Sequence, residues 1–172
     1  MKPLHYLLAG GLLLTGALAC SKDDDKTTEL RVRLTDNPYN ATEVNVDIEQ
    51  VRVKFSDDDR DDEGWRNLDT RAGIYNLLDF QNGIDTLIAS AIVPTQPLKE
   101  IRFVLGTDNS IKIDNVLYPL TIPSGSSSGL KIKLNKSLRE GIDSVLIDFD
   151  AALSIVQEGN GNYKLKPVLK IK

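Results

Sequence analysis

Beyond residue 20 this sequence has neither histidine nor cysteine: the single His is His5 and the single Cys is Cys20. Those absences exclude a good deal. Imidazole acid–base catalysis, thiol nucleophiles, ordinary zinc or copper sites and internal disulfides all need residues that the body of the chain lacks. Chemistry there is restricted to carboxylate, lysine or tyrosine groups. Aromatic residues are sparse as well, 6% of 172 with one Trp, so a ligand platform of rings has to be assembled from few members. No apolar run reaches the roughly 20 residues that a spanning helix requires.

What is present begins with an export pattern. Lys2 supplies a positive end, Leu4 to Leu14 an apolar segment and Gly16 to Ala19 a small-residue cleavage region. Cys20 follows, with Ala19 and Leu18 before it, which resembles the lipobox of bacterial lipoproteins. The expectation is that residues 1–19 are removed and Cys20 is acylated. Several acyl chains on one residue hold a protein where a single chain binds only marginally. Ser21 to Asp25 resembles the acidic export tag of Bacteroidota surface lipoproteins, so the expected location is the outer membrane, facing the cell exterior. Residues 20–28 then form the acylated Cys and an acidic tether, and residues 29–172 the folded domain. The membrane, reached through the N-terminal lipid, is the first expected partner.

Removing residues 1–19 takes away Lys2 and no acid, so the 21 Lys and Arg become 20 against 25 Asp and Glu, a net charge of −5. Nucleic acid is therefore not an expected partner, because phosphate binding needs a concentrated basic face. The length is that of one domain with a core of its own.

From Glu29 onward the pattern has period two. Leu30, Val32 and Leu34 alternate with Arg31, Arg33 and Thr35, and Val44, Val46 and Ile48 alternate with Asn45, Asp47 and Glu49. After Gln50 the apolar residues continue at Val51, Val53 and Phe55, on the opposite parity. Keeping one face buried demands a bulge near Glu49–Gln50. Ile74 to Phe80 reads as extended, and Ile84, Leu87, Ile88, Ala91 and Ile92 carry helical spacing, which predicts a short helix near 84–88 before a strand. Asp114–Asn115 turns one hairpin and Gly159–Asn162 another, ahead of a last strand over 163–171. Ala151 to Val156 reads as a continuation of the strand before it. The expected fold class is all-β: a single β-sandwich of about seven to nine mostly antiparallel strands, immunoglobulin-like or transthyretin-like.

Several segments occur together in one order: Leu34-Thr-Asp36, Val46-Asp-Ile-Glu49, Trp65-Arg-Asn-Leu68, Tyr75-Asn-Leu-Leu-Asp79, Asn82-Gly83 and Ile101-Arg102, then Tyr118 to Gly125, Ser128-Gly-Leu130, Asp148-Phe-Asp-Ala151 and Leu165-Lys-Pro-Val168. Over residues 29–171 the chain thereby resembles the family known as domain of unknown function 4382, found in exported bacterial and archaeal proteins. The resemblance implies a β-rich extracytoplasmic domain and no particular activity. Pro94-Thr-Gln-Pro97 departs from it, standing where a glycine-containing turn is expected.

Candidate sites are few. Asp57, Asp58, Asp59, Asp61, Asp62 and Glu63 put six carboxylates into seven residues. Oxygen-rich loops suit calcium, with Asp57, Asp59 and Asp61 as the ligands, but residue 68 is Leu where an EF-hand loop has Glu, and a solvated hairpin tip accounts for the run better. Asp148 and Asp150, two apart on a strand, are spaced like a glycosidase carboxylate pair, or pair with Lys or Arg of a neighbouring strand. Trp65, Tyr75 and Tyr118, with Tyr39 and Tyr163, are candidates for a sugar-binding aromatic platform or for packing at the edge of the core. Thr86 and Ser144 lie in short matches to the O-glycosylation pattern of exported Bacteroidota proteins.

Taken together, these features predict a surface lipoprotein that binds a glycan or a protein and is not an enzyme, with no cofactor. A structural subunit of a pilus-like or adhesive assembly is the alternative, and a carboxylate-based glycan hydrolase a further one.

Overall fold

The computed structural model describes residues 26–37, 39–56, 63–123, 129–159 and 161–172. Its strands are β1 (Thr27–Thr35), β2 (Glu43–Lys54), β3 (Trp65–Asn67), β4 (Asp69–Thr70), β5 (Gly73–Asn76), β6 (Thr86–Pro94), β7 (Pro97–Leu105), β8 (Ser110–Ile113), β9 (Val116–Thr121), β10 (Leu130–Ser137), β11 (Gly141–Phe149), β12 (Ile155–Gln157), β13 (Tyr163–Leu165) and β14 (Leu169–Ile171). Two short helical turns interrupt them: a 3-10 turn at Leu77–Phe80 and α1 at Ala151–Ser154.

The strands form two sheets that do not close into a barrel, so the all-β sandwich-like class holds. One sheet runs β14-β11-β1-β6-β4. The other runs β10-β7-β2-β8-β9-β13-β12, with β3 and β5 also on β2. Both sheets are mixed, because β1 pairs in parallel with β11 and β9 with β13. Fourteen short segments stand where about seven to nine strands are expected, chiefly because long strands are broken: β2 is flanked on one side by β3 and β5 and on the other by β7 and β8.

Alternation decides which face is buried. Thr28, Leu30, Val32 and Leu34 of β1 are buried, as are Val44, Val46 and Ile48 of β2, then Val51 and Val53 after the parity change. The pairing of β2 with β7 shifts register between Ile48 and Gln50, which is the bulge that the apolar pattern demands. It falls where both flanking strands are interrupted. On one side the chain leaves for the other sheet as β4; on the other, Gly106–Asn109 separates β7 from β8. The Val51 amide, displaced from regular pairing, donates to Thr70 Oγ1 at 2.9 Å. Each aliphatic side chain so buried contributes about 1.5–3 kcal/mol, so a one-residue slip of β2 would be costly.

Four expectations are corrected, the extended reading of 77–80 among them, since a 3-10 turn stands there. There is no helix at 84–88: β6 runs from Thr86, and a register shift against β1 sets Val32 on Ala89 and Arg33 on Leu87, leaving Ile88 between them. That extra residue buries Ile88 and Ala89 consecutively, which imitates helical spacing. The helical turn lies earlier, at Leu77–Phe80, where Asn76 Oδ1 caps the Leu78 amide at 3.4 Å and also accepts the Val44 amide at 3.1 Å. The expected final strand over 163–171 is two strands in different sheets. Pro167, which has no amide to donate, lies between them, and the Lys166 and Asp150 amides bond across to Ser154 O and Val168 O. Ala151–Ser154, expected as strand, is helical because Asp150 caps it.

Candidate functional site

β1 gives the domain two poles. Lys26 and Thr27 enter at one, and Thr35 leads to Asp36 at the other, nine extended residues and roughly 30 Å away. The parallel register sets Thr35 on Asp148, which brings Asp36 and Asn37 to the end of β11 and to α1. Asp36 is buried; its carboxylate accepts from the Ala151 amide at 2.9 Å and from Gln81 Nε2 at 3.2 Å. Burial pushes its pKa up against these bonds, and the Asp148 charge adds to the rise. Asp148 is 1% exposed and accepts from Asn37 Nδ2 at 2.8 Å, with Lys172 Nζ at 3.2 Å. Asp150 caps the Leu153 amide at 3.0 Å and pairs with Lys170 Nζ at 2.7 Å. Burial alone would raise the Asp150 pKa, but Lys170 and the Leu153 amide bring it below the usual range, while Asp150 holds Lys170 above its own.

The Asp148–Asp150 pair therefore carries lysine partners of β14 and its end, the alternative that its spacing left open. Its carboxylates fasten the Asp36–Asn37 segment to β11, α1 and the C-terminal strand. Nothing in the residue pattern marks residues 36 and 37 as its partners, because the parallel β1–β11 pairing has no local signature.

The aromatic residues divide into separate groups. The Trp65 ring lies 4.2 Å from the Arg102 guanidinium and 6.0 Å from Lys54 Nζ, so it packs on cations of the nine-stranded sheet. The Tyr75 hydroxyl donates to Arg71 O, and its ring is 6.2 Å from Phe80. Trp65 is paired to Lys54 of β2, whereas Tyr118 reaches Val44 of β2 through Ile111. Ten strand residues, about 33 Å, separate those positions. Trp65 and Tyr118 thus do not share one platform, and the contacts of Trp65 fit the packing alternative.

The fold assembles another set. Tyr118 and Tyr163 lie with ring centroids 5.1 Å apart at 58°, brought together by the parallel pairing of β9 and β13. Tyr39, from the segment after β1, packs half-buried against the core; burial raises its pKa and the Tyr163 phenol adds to the rise. All three rings are half-buried, with exposed Val116 and Leu117 on the strand carrying Tyr118. The β8–β9 hairpin turns through Asp114 and Asn115 at φ 47° and 65°, the left-handed conformation of a tight two-residue turn. Lys112–Glu43 at 2.8 Å and Lys164–Glu158 at 2.5 Å supply ion pairs on the strands around the rings. Apolar ring faces with polar tips, at one pole of a rigid sheet, can stack on the C–H face of a sugar and bond its hydroxyls.

Thr86 is half-buried at the start of β6, and Ser144 is exposed on β11 opposite Arg31. Cys20 and the calcium candidates Asp57, Asp59 and Asp61 lie outside the described residues. Among the described residues no group of three His, Cys, Asp or Glu is disposed to hold a metal ion, and no helix is long and apolar enough to cross a membrane.

A family model described as domain of unknown function (DUF4382) matches residues 27–167. No curated protein and no solved structure matches the chain.

Proposed function

The chain belongs to the DUF4382 family, a domain of unknown function, and with that as premise we propose that it is a lipid-anchored surface protein that binds glycan, without catalysis, through Tyr39, Tyr118 and Tyr163. The observation that carries this reading is the contact of half-buried Tyr118 with half-buried Tyr163 at the pole opposite the one where the tether enters. An anchor on Cys20 holds the Lys26 pole to the outer membrane, and the tyrosine pole stands about 30 Å further out. A glycan fits the patch better than a protein does, since a stable protein interface covers about 800 Å² per partner and three rings with polar tips do not fill that area. The hydrolase alternative loses support from the geometry of Asp148 and Asp150, both committed to lysine partners.

The test is a glycan array probed with the acyl-free chain (Cys20→Ser), followed by calorimetry on any hit. Tyr118→Ala with Tyr163→Ala is expected to weaken binding at least tenfold while Trp65→Phe leaves it unchanged. Equal affinity of the double variant would remove the tyrosine pole from consideration. In cells, Cys20→Ser is expected to shift the protein out of the membrane fraction, and retention there would remove the anchor.

The assembly-subunit reading has one observation in its favour. β10 is eight residues long and stands at the border of its sheet, bonded to β7 on one side. Cross-linking on intact cells separates the two readings: a ladder of copies favours assembly.

A further inference from the structure

The pole where the tether enters has a surface that the binding role does not use. The first residues of β1 are flanked by the start of β11 and the end of β6: Glu29 stands opposite Ile142 on one side and Ile92 on the other. Those two isoleucines share the outer face of the five-stranded sheet, about 10 Å apart, and are 54% and 64% exposed. Beside them lies a groove of about 480 Å³ whose lining includes Lys26, Thr27, Arg66, Ile92, Pro94 and Gln96 and, among the described residues, no carboxylate. Arg139, on the linker into β11, has a side chain 77% exposed, and that of Lys26 is 69% exposed.

Acids are present at this pole as well, exposed Glu63 just before β3 among them. Glu140 pairs with Lys26 at 3.2 Å, Glu29 with Arg31 at 2.8 Å, and Asp143 with both Lys136 and Arg139. Arg66 makes a further cation. The pole is also firmly built. The Thr95 amide donates to Lys26 O at 2.8 Å, and buried Thr28 joins its hydroxyl to Thr95 Oγ1 at 2.9 Å and to Arg139 O at 2.8 Å. The exposed side chains therefore sit on a rigid rim.

We propose that this pole is a membrane-docking surface, with Ile92 and Ile142 entering the interfacial layer and Lys26, Arg66 and Arg139 meeting lipid phosphates. The inference rests on the reading that Cys20 is acylated. Five residues lie between Cys20 and Lys26, a reach of at most about 22 Å, so the rim stays next to the headgroups once the lipid is inserted. Exposed aliphatic side chains ringed by Lys and Arg are what an anionic interface selects. Docking fixes the tilt of the domain and points the tyrosine pole away from the bilayer.

The experiment uses the full acylated chain in vesicles of phosphatidylcholine alone and of phosphatidylcholine mixed with phosphatidylglycerol, read by hydrogen exchange. The mass of the Cys20 peptide reports acylation separately. Expected is slowed exchange at residues 90–95 and 140–144 in the anionic vesicles, weaker in the neutral ones, and none around Tyr118. Ile92→Glu with Ile142→Glu, and Lys26→Glu with Arg66→Glu, are each expected to abolish that protection without moving the thermal midpoint. Each lost cation is worth roughly fivefold in surface affinity, and the acidic tether stays in every sample. An acylated protein whose rim exchanges equally with and without anionic lipid overturns docking and leaves the anchor standing. An unacylated Cys20 overturns both. Rim protection that needs no vesicles and grows with protein concentration assigns the surface to a second copy and overturns docking.

Discussion

The hydroxyl of Thr70, on a two-residue strand of the five-stranded sheet, accepts the amide of Val51 from the middle of the other sheet at 2.9 Å. It also accepts Gln50 Nε2 at 2.9 Å and donates to Leu68 O at 3.1 Å. One side chain thus completes the backbone pairing that the bulge in β2 interrupts and ties the two sheets together.

Thr70→Val keeps the shape and removes the hydroxyl. It is expected to lower stability by about 1–3 kcal/mol, the cost of a buried amide left without a partner, while Thr70→Ser recovers most of the loss. Urea denaturation midpoints check it.

Trp65 is placed as a packing residue. Trp65→Ala is expected to cost about 1–3 kcal/mol through lost area and the lost stack on Arg102. Glycan affinity at the tyrosine pole should not change. The substitution removes the only tryptophan, so circular dichroism is the readout for unfolding.

Gly106 leaves no room for a side chain. An added Cβ would collide with the Asp47 carboxylate, which accepts the Asp108 amide at 3.3 Å, while the Gly106 amide donates to Asp47 O at 3.0 Å. Gly106→Ala is expected to cost about 1–2 kcal/mol. Made in an Asp47→Ala background the same change should cost less, and that non-additivity identifies the clash as the cause.

Asp143, 1% exposed, controls part of the acid sensitivity. Burial alone would raise its pKa, but bonds from the Arg139 amide and guanidinium, the Ser144 amide and Lys136 outweigh it and bring it to about 2. A folded-state pKa below the unfolded value contributes stability that is present above the ordinary carboxylate pKa and is lost as pH falls toward 2. The expected loss is about 2 kcal/mol, and Asp143→Asn should not show it. Asp36 acts with the opposite sign. Burial raises its pKa, so its ionisation destabilises the fold as pH rises through and above the ordinary carboxylate range, and Asp36→Asn should lessen that trend. Thermal midpoints from pH 5 downward test the first, and those from pH 4 to 7 the second.

Residue patterns alone determined the class of this fold and the main features of its longest strands. Period-two alternation over 30–35 and 44–53 is enforced by the pleat, so the buried faces and the bulge at 49–50 follow from residue order. The absence of His and Cys after residue 20 narrows the chemistry without any coordinates. Local signals failed where a distant segment decided. Ile88 reads as helical only because β1 forces a bulge beside it, and the 163–171 strand divides because Pro167 lies where the chain changes sheets. The tyrosine cluster was the least legible part. Tyr39, Tyr118 and Tyr163 are far apart in the chain, and the parallel pairing of β9 with β13 that joins two of them is non-local. Sequence order selects which rings are available. Only the packing of the two sheets decides which of them meet.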